Sequence, residues 1–259
     1  MDILSSKQDG VLTIEFNRPE RKNAITSLMY QAMADAINDS EQDAAVRAIL
    51  ITGKPEIFTA GNDLEDFLKN SAPEEGARVL DRPVFQFMRA LHGTSKPVVV
   101  AVAGAAVGIG TTLLLHCDLV YAADNAKFSM PFAQLGLCPE YASSMLLQQI
   151  AGYPRAAEKL LLGEAFLAEE ALQMGMVSKV LPADELVPFA TRQAAKLVAL
   201  PAASIRATKA LMKRPRTEQI EAALAAEITL FSAMLGAPEA KEAFTAFFEK
   251  RKPDFSTFA

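Results

Sequence analysis

The sequence has few cysteines and no excess of positive charge. Its 259 residues include two cysteines, Cys117 and Cys138, which form no C-x-x-C pair. This spacing argues against a zinc site and a disulfide framework and is typical of a reducing compartment, so we expect a cytoplasmic protein. The formal net charge is −5. The chain therefore lacks the basic surface that binds nucleic acid by releasing counterions, and we expect no nucleic-acid partner.

The sequence also lacks an uninterrupted hydrophobic run long enough to span a membrane. Residues 97–117, "PVVVAVAGAAVGIGTTLLLHC", carry no formal charge over about the length that a bilayer requires. Glycines at 104, 108 and 110 interrupt this stretch, and a buried strand, a glycine turn and a buried helix explain that order better than one helix. We expect no membrane partner. From the residues at its two ends we expect neither a secretory leader nor a peroxisomal address.

What the sequence does contain is ample apolar material, arranged as alternating strands and helices. With 51% hydrophobic residues the chain can bury a large core. The pattern predicts strands at 11–16, 46–53, 97–104 and 126–132, with helices at 26–39, 111–122 and 140–150. The fold class is therefore α/β, and the loops after the strands are the natural place for chemistry.

After Leu181 the pattern predicts helices alone, at 184–199, 201–213, 217–235 and 238–250. We divide the chain accordingly into a core at 1–195 and a helical C-terminal portion at 196–259. The C-terminal portion is expected to pack on the core or on a neighbouring subunit.

Two loops have a backbone that could donate hydrogen bonds to an anion. In "TAGNDL" the small residues Ala60 and Gly61 precede Asn62, which lets a ligand approach the main chain. In "GAAVGIGTT" Gly108 and Gly110 flank Ile109 at the predicted start of a helix, where free N–H groups favour negative charge. Taken alone, either loop could equally be a tight turn, and the second lacks the dinucleotide-binding spacing.

One acidic residue stands in an apolar context. Glu140 is the only carboxylate in "SMPFAQLGLCPEYASS", residues 129–144. It is either solvated at the start of a helix or held in an apolar site for a chemical reason. The neighbours Phe132, Leu135 and Leu137 would raise its pKa by desolvation, whereas a helix beginning at Pro139 would favour the ionised form.

Several motifs in order resemble the crotonase, or enoyl-CoA hydratase/isomerase, superfamily. "FTAGNDLEDF" is followed by "KPVVVAVAGAAVGIGTTLLLHCDLVYAADNAKFSMPFAQLGL", and the likeness runs from "FNRPERKNAI" at residue 16 to "AFFEKRKPDF" at 246–255. The resemblance implies a crotonase-like spiral of ββα units and a helical C-terminal portion used in trimerisation. It implies an acyl-CoA substrate, a homotrimer or dimer of trimers, and no cofactor, since coenzyme A is part of the substrate.

The resemblance also assigns roles to individual residues. The backbone N–H groups of Asn62 and Ile109 would form an oxyanion hole for the thioester oxygen, and Lys22 would contact the pyrophosphate. Phe247 would pack near the adenine of another subunit's coenzyme A, and Lys250 would pair with its 3'-phosphate. The other residues assigned to substrate binding are Ala60, Gly61, Asp63, Leu64, Gly108 and Phe132. No metal is implied, and His92, His116 and both cysteines are expected to be structural.

The acids distinguish members of the superfamily from one another. Typical hydratases resemble one another in carrying two glutamates, and here Thr112 and Phe132 occupy those places. Glu140, in a "PE" dipeptide, resembles the catalytic base of peroxisomal-type Δ3,Δ2-enoyl-CoA isomerases. We therefore expect an isomerase acting on 3-enoyl-CoA in the β-oxidation of unsaturated fatty acids. A hydratase or other CoA-thioester enzyme, and a non-catalytic crotonase-fold binding protein, remain alternatives.

The segment at 71–93 completes the predicted site. It is acidic first and apolar later, and we expect it to form a loop and a helix over the acyl pocket. Phe85, Phe87 and Met88 would line either that pocket or the core.

Overall fold

A computed structural model describes residues 1–71 and 79–258 of the chain. Residues 72–78 of the predicted pocket loop and residue 259 lie outside that description. The ten strands of the described part are β1 Ile3–Gln8, β2 Val11–Phe16, β3 Ala48–Thr52, β4 Ile57–Thr59, β5 Val98–Val102, β6 Ala105–Val107, β7 Leu119–Ala123, β8 Lys127–Ser129, β9 Phe166–Leu167 and β10 Lys179–Leu181. The helices are α1 Ser27–Gln42, α2 Leu64–Ser71, α3 Pro83–Gly93, α4 Ile109–Thr112, α5 Ser143–Ala151, α6 Tyr153–Leu162, α7 Ala168–Gln173, α8 Ala183–Ala199, α9 Ala202–Lys213, α10 Thr217–Leu235 and α11 Pro238–Phe248.

The strands form two sheets that are linked by a repeating connection. The larger sheet has the order β1-β2-β3-β5-β7-β10, and the smaller has the order β4-β6-β8-β9. Pairing is parallel except for β1 with β2 and β8 with β9. Three times in succession, a strand of the larger sheet is followed by a short strand of the smaller sheet and then by helix. This is the spiral of ββα units, and the predicted α/β class is confirmed.

The central strand β5 explains why the run "VVVAV" is so apolar. Successive side chains of a strand point to opposite faces. Val98, Val100 and Val102 belong to the main core, whereas Val99 and Ala101 pack into a second cluster beneath α8. Because both faces of this parallel strand are covered, it contains no alternating polar residues.

The predicted helix at 111–122 is wrong. Helix α4 ends at Thr112 and a short 3-10 helix ends at His116, after which Leu119–Ala123 forms strand β7. The turn is held at Asp118, whose carboxylate accepts a hydrogen bond from Val98 N (2.7 Å) and whose N–H donates to Val98 O (3.0 Å). Pairing with β5 overrides the helical propensity of the leucines.

Among the described residues, no single helix is long and apolar enough to cross a membrane. One bent pair of helical segments, Ala202–Leu235 and Pro238–Phe248, is long and apolar enough when the two are taken together, and the angle between them is 68°.

The C-terminal helices fall close to the predicted bounds. The helix predicted at 217–235 is confirmed, and α9 and α11 begin or end within two residues of their predicted positions. Helix α8 packs on the larger sheet, whereas α10 packs against α5 and α11. Part of this portion therefore lies directly over the region that carries Glu140. Its use in trimerisation remains a prediction.

Candidate active site

The first predicted donor loop follows strand β4 and leaves one N–H group free. Gly61 has a φ of +86°, and a Cβ at this position would lie 2.7 Å from Val107 O. Gly61 O accepts a hydrogen bond from Ile25 N (2.8 Å), and Ile25 O accepts one from Asp63 N (2.9 Å). These two bonds bracket Asn62, whose own N–H donates to no other described residue.

The second donor loop follows strand β6. Gly108 has φ +56° and ψ −119°, which a residue with a Cβ adopts rarely, although a Cβ would meet no atom within 4 Å. Gly108 O accepts hydrogen bonds from Thr111 N (2.8 Å) and Thr112 N (3.0 Å), which begins α4. The N–H of Ile109 is therefore left without a partner among the described residues.

Both free donors lie in the wall of one cavity of about 530 Å³. Most of the residues assigned to substrate binding lie in the same wall, although Lys250 does not. Those that do are Lys22, Ala60, Gly61, Asn62, Asp63, Leu64, Gly108, Ile109, Phe132 and Phe247. Lys250 is exposed just after α11. Any contact it makes with coenzyme A of another subunit remains a prediction.

Glu140 lies in the wall of a second, smaller cavity of about 60 Å³. The two cavities share Asn62, Phe67 and Phe231 in their walls, so the carboxylate and the free N–H groups line neighbouring cavities. Thr112, one turn after Ile109, donates a hydrogen bond from Oγ1 to Glu140 Oε1 (2.5 Å). Thr112 thus occupies one of the expected hydratase positions and supports Glu140 instead of supplying an acid.

The apolar wall of the small cavity contains residues that the sequence did not indicate. Phe132, Leu135 and Leu137 line the larger cavity. Around the cavity that holds Glu140 the apolar side chains come from α2, α3 and α10: Phe67, Val84, Phe85, Met88, Leu224, Ile228 and Phe231. Phe87, by contrast, is buried in the core against Tyr30.

Burial decides the protonation behaviour of Glu140. Protein atoms surround the carboxyl group, although part of the residue stays accessible through the cavity. Burial raises the pKa of Glu140 to about 8; the hydrogen bond from Thr112 opposes this rise, and the nearby Glu227 carboxylate adds to it. The predicted helix start at Pro139 is wrong, because α5 begins at Ser143 and the main-chain carbonyl of Glu140 accepts from Ser143 N.

The turn after Glu140 is held by a buried histidine. His116 Nε2 lies 2.8 Å from Tyr141 O, which can only accept, so this nitrogen carries the proton. The ring of Tyr141 stacks on His116 at 3.7 Å, and its hydroxyl donates to Met88 O (2.7 Å). Burial lowers the pKa of His116 to about 3, so it is neutral at neutral pH. Its observed contacts are those of a structural residue.

The sequence pattern missed a second buried carboxylate, Glu227 on α10. Its side chain is 6% exposed and lies in the same small cavity as Glu140. A signal was available, because Ile220, Leu224, Glu227 and Phe231 follow helical spacing, and an acid in an otherwise apolar stripe needs a partner. Burial raises the pKa of Glu227, and hydrogen bonds from Ser144 and Ala142 oppose that rise.

Tyr30 is a second supporting residue that the sequence did not indicate. Its hydroxyl donates to Asn62 Oδ1 (2.6 Å), which ties the first donor loop to α1. Asp63 holds the same loop from the other side through an ion pair with Arg18 (2.8 Å). Burial alone would raise the pKa of Asp63, but its hydrogen bond from Arg18 keeps that pKa below the ordinary value. No group of three or more potential metal ligands occurs among the described residues.

Comparisons with known proteins agree with this geometry. The family model described as "Enoyl-CoA hydratase/isomerase" matches residues 6–257. The 2,3-dehydroadipyl-CoA hydratase of Escherichia coli K12 is 31% identical over 254 residues, 98% of each chain. Enoyl-CoA delta isomerase 2 of Rattus norvegicus is 36% identical over 256 residues, which are 97% of this chain and 64% of the rat protein. The crystal structure of an enoyl-CoA hydratase/isomerase from Pseudoalteromonas atlantica T6c has a TM-score of 0.93 at 40% identity, over 98% of this chain and 100% of that one.

Proposed function

The chain belongs to the enoyl-CoA hydratase/isomerase family, and from this premise we propose that it is a Δ3,Δ2-enoyl-CoA isomerase. It would convert 3-enoyl-CoA to trans-2-enoyl-CoA in the cytoplasm, during the oxidation of unsaturated fatty acids. The observation that carries the proposal is the buried Glu140 carboxylate, which has one oxygen free and lies in a cavity that shares wall residues with the cavity of the two free backbone N–H groups.

The two N–H groups suit the thioester oxygen. Loss of a proton from carbon 2 turns the thioester into a dienolate, whose oxygen needs donors already in place. Asn62 N–H and Ile109 N–H are those donors, and each is worth about 3 kcal/mol of barrier. Because both glycine loops are fixed by main-chain hydrogen bonds, little reorganisation accompanies the reaction.

Glu140 would carry the proton in both directions. Its carboxylate takes the proton from carbon 2, the electrons of that C–H bond form a double bond between carbons 1 and 2, and the carbonyl electrons move to the thioester oxygen. When the dienolate collapses, the carbonyl re-forms, the carbon 1–2 electrons become the double bond between carbons 2 and 3, and the electrons of the original double bond take the proton back from the Glu140 carboxyl group at carbon 4. A pKa of about 8 makes this carboxylate a stronger base than an ordinary glutamate, and it remains partly ionised near neutral pH.

The surroundings of Glu140 support isomerisation over hydration. Adding water by the usual route takes a second carboxylate, and Thr112 and Phe132 stand where that route would place its acids. Glu227 is close, but both of its oxygens accept hydrogen bonds from the 142–144 turn. The residues facing the small cavity are otherwise mostly apolar.

The remaining contacts concern coenzyme A, which enters as part of the substrate and not as a separate cofactor. Lys22 is exposed at the rim of the large cavity, where it would bind the pyrophosphate. Phe247 lies in the wall of its own chain's cavity, so it would pack on the adenine of coenzyme A bound by the same subunit and not, as the resemblance implied, by another. Lys250 would bind the 3'-phosphate of coenzyme A in a neighbouring subunit of a trimer or a dimer of trimers.

The substitution Glu140→Gln tests the proposal. Isomerisation of 3-enoyl-CoA should fall by a factor of at least about 100, the usual size of a lost general base, while binding of the CoA ester persists. The matched control is Glu221→Gln, an exposed carboxylate on α10 that lines neither cavity, which should retain its activity. A folded Glu140→Gln protein with near-normal turnover would overturn the proposal.

Hydration is the second candidate, because a hydratase is among the similar proteins and a second acid lies near Glu140. The enzyme would be incubated with trans-2-enoyl-CoA and the formation of 3-hydroxyacyl-CoA measured. Hydration faster than isomerisation would favour this candidate.

A further inference from the structure

The turn that carries Glu140 has an unusual backbone. Tyr141 and Ala142, the two residues directly after Glu140, have φ values of +58° and +56°. Both are in the left-handed region, and neither is glycine. Residues with a Cβ disfavour this conformation, so two in succession persist only where the surroundings hold them.

Glu227, from a distant part of the chain, stabilises this backbone conformation. Its Oε2 accepts a hydrogen bond from Ala142 N (2.5 Å), and its Oε1 accepts bonds from Ser144 N (3.0 Å) and from the Ser144 hydroxyl. Ala142 is also the N-cap of α5, and its side chain cannot accept a hydrogen bond. Glu227 therefore caps the N-terminus of α5 by accepting hydrogen bonds from its free N–H groups, as the side chain of an N-cap serine or aspartate does in other helices.

These bonds also limit which further groups the Glu227 carboxylate can bind. With three donors directed at its two oxygens, it has little capacity left for a substrate or a water molecule. Glu140 is different, because among the described residues only Thr112 donates to it, and only to Oε1. The first proton to leave this pair of carboxyl groups therefore leaves Glu227, whose anion is the better solvated by donors.

We propose that Glu227 is a positioning residue, which clamps the 141–144 turn so that Glu140 points into the cavity beside Thr112. The inference rests on the proposed role of Glu140 as the base. It means that helix α10 of the C-terminal portion is needed for proton transfer itself, in addition to any part it has in assembly.

The clamp brings a negative charge close to Glu140. Among the described residues, the other titratable groups that interact with the pair are Tyr30 from α1 and Cys138 and Tyr141 from the turn, and His116 packs behind Tyr141. Burial raises the pKa of Tyr30, Tyr141 and Cys138 and lowers that of His116, so all four are neutral near pH 7. Glu227 is then the charged group that acts on Glu140 from within the described part of the chain.

Two substitutions separate geometry from charge. Glu227→Gln keeps the size but directs an NH₂ group at one of the N–H donors, and it removes the charge. We expect kcat to fall about 10- to 100-fold with KM changed less than twofold, and the acid limb of the kcat profile to move to lower pH. Glu227→Asp keeps the charge but shortens the reach, so kcat should fall at least fivefold while the acid limb stays in place.

Two controls show whether the effect is specific. Glu221→Gln, at an exposed position on the same helix, should leave kcat and the pH profile unchanged. Ser144→Ala removes one donor and keeps the clamp charged, so the acid limb should not move. A merely structural Glu227 would lower the melting temperature in Glu227→Asp and leave kcat at the wild-type value.

All variants are compared with the wild-type enzyme on 3-enoyl-CoA, with folding checked by thermal melting. If Glu227→Gln does not fold, Glu227→Asp still tests the geometric part. Wild-type kcat and an unmoved acid limb in the Glu227 variants would overturn the inference. Wild-type protein that does not isomerise the substrate would overturn the proposed function instead, so the two failures are distinguishable.

Discussion

The buried Glu140 should make the protein less stable as the pH rises, and replacing it should remove that loss. An ordinary glutamate in the unfolded chain has a pKa of 4.5, whereas in the folded protein burial raises the pKa of Glu140 to about 8. Between these values the unfolded state has released this proton and the folded state still holds it. Stability contributed by the protonated group is therefore complete below pH 4.5 and is lost as the pH rises towards 8.

The size of the effect follows from the two pKa values. Each factor of ten in acidity corresponds to about 1.4 kcal/mol, so the change from 4.5 to about 8 amounts to about 5 kcal/mol. This is an upper bound, because part of Glu140 remains accessible through the cavity and water there favours the anion. Even half of it would be a large share of the free energy of unfolding of a typical domain.

The substitution Glu140→Gln keeps the shape and can still accept the hydrogen bond from Thr112, but it does not titrate. At low pH, where Glu140 is protonated in both states, the substitution changes the free energy of unfolding by a fixed amount. The informative quantity is therefore how the difference in this free energy between the two proteins varies with pH. Unfolding free energies would be measured with denaturant at pH 4.5, 6.5 and 8.5, at equal subunit concentration because assembly also stabilises the folded state. Relative to wild type, Glu140→Gln should gain about 2 to 5 kcal/mol between the lowest and highest pH. Parallel curves for the two proteins would refute the argument that burial sets the pKa of Glu140.

Two further predictions concern the reaction. In the pH profile of kcat/KM for isomerisation, the base form of Glu140 should appear with a midpoint near pH 8. Thr112→Val removes a hydrogen bond that lowers the pKa of Glu140, so it should move this midpoint to higher pH. Thr112→Ser keeps the hydrogen bond and should leave the midpoint in place. Gly61→Ala should reduce kcat about 100-fold, because a Cβ 2.7 Å from Val107 O displaces the neighbouring Asn62 donor, which is worth about 3 kcal/mol. Gly93→Ala, where a Cβ meets no atom within 4 Å, is its control, and equal kcat values in these two variants would argue against Asn62 N–H as a donor.

The features that could be predicted from the sequence are those with a local cause. Gly61 and Gly108 indicated the two donor loops because only glycine readily adopts their φ values, and the structure leaves the N–H groups beside them free. Glu140 could be singled out because an acid in an apolar segment is costly unless it has a purpose. The long helices of the C-terminal portion could be placed from their periodicity, within two residues at most ends.

The features that could not be predicted depend on partners far along the chain. Strands β4, β6 and β9 have two or three residues, too few to show a period, and they exist because the smaller sheet pairs them. Strand β7 was predicted as helix because its residues favour a strand only beside β5. The apolar side chains that α3 and α10 place around the small cavity could not be predicted for the same reason, since the two helices are distant in sequence and adjacent in space.

The resemblance to the crotonase superfamily supplied the roles of oxyanion hole and base. The amino-acid sequence itself was sufficient to indicate two loops whose backbone could bind an anion and one acid in an apolar segment. Those properties belong to single residues and their nearest neighbours. The tertiary structure decided the pKa of Glu140 and which residues orient its side chain. Burial of Glu140 between α3 and α10 sets its pKa, and Glu227, 85 residues beyond Ala142, clamps the turn that follows it. Desolvation and long-range hydrogen bonds arise only when distant segments meet, so neither can be determined from the local sequence.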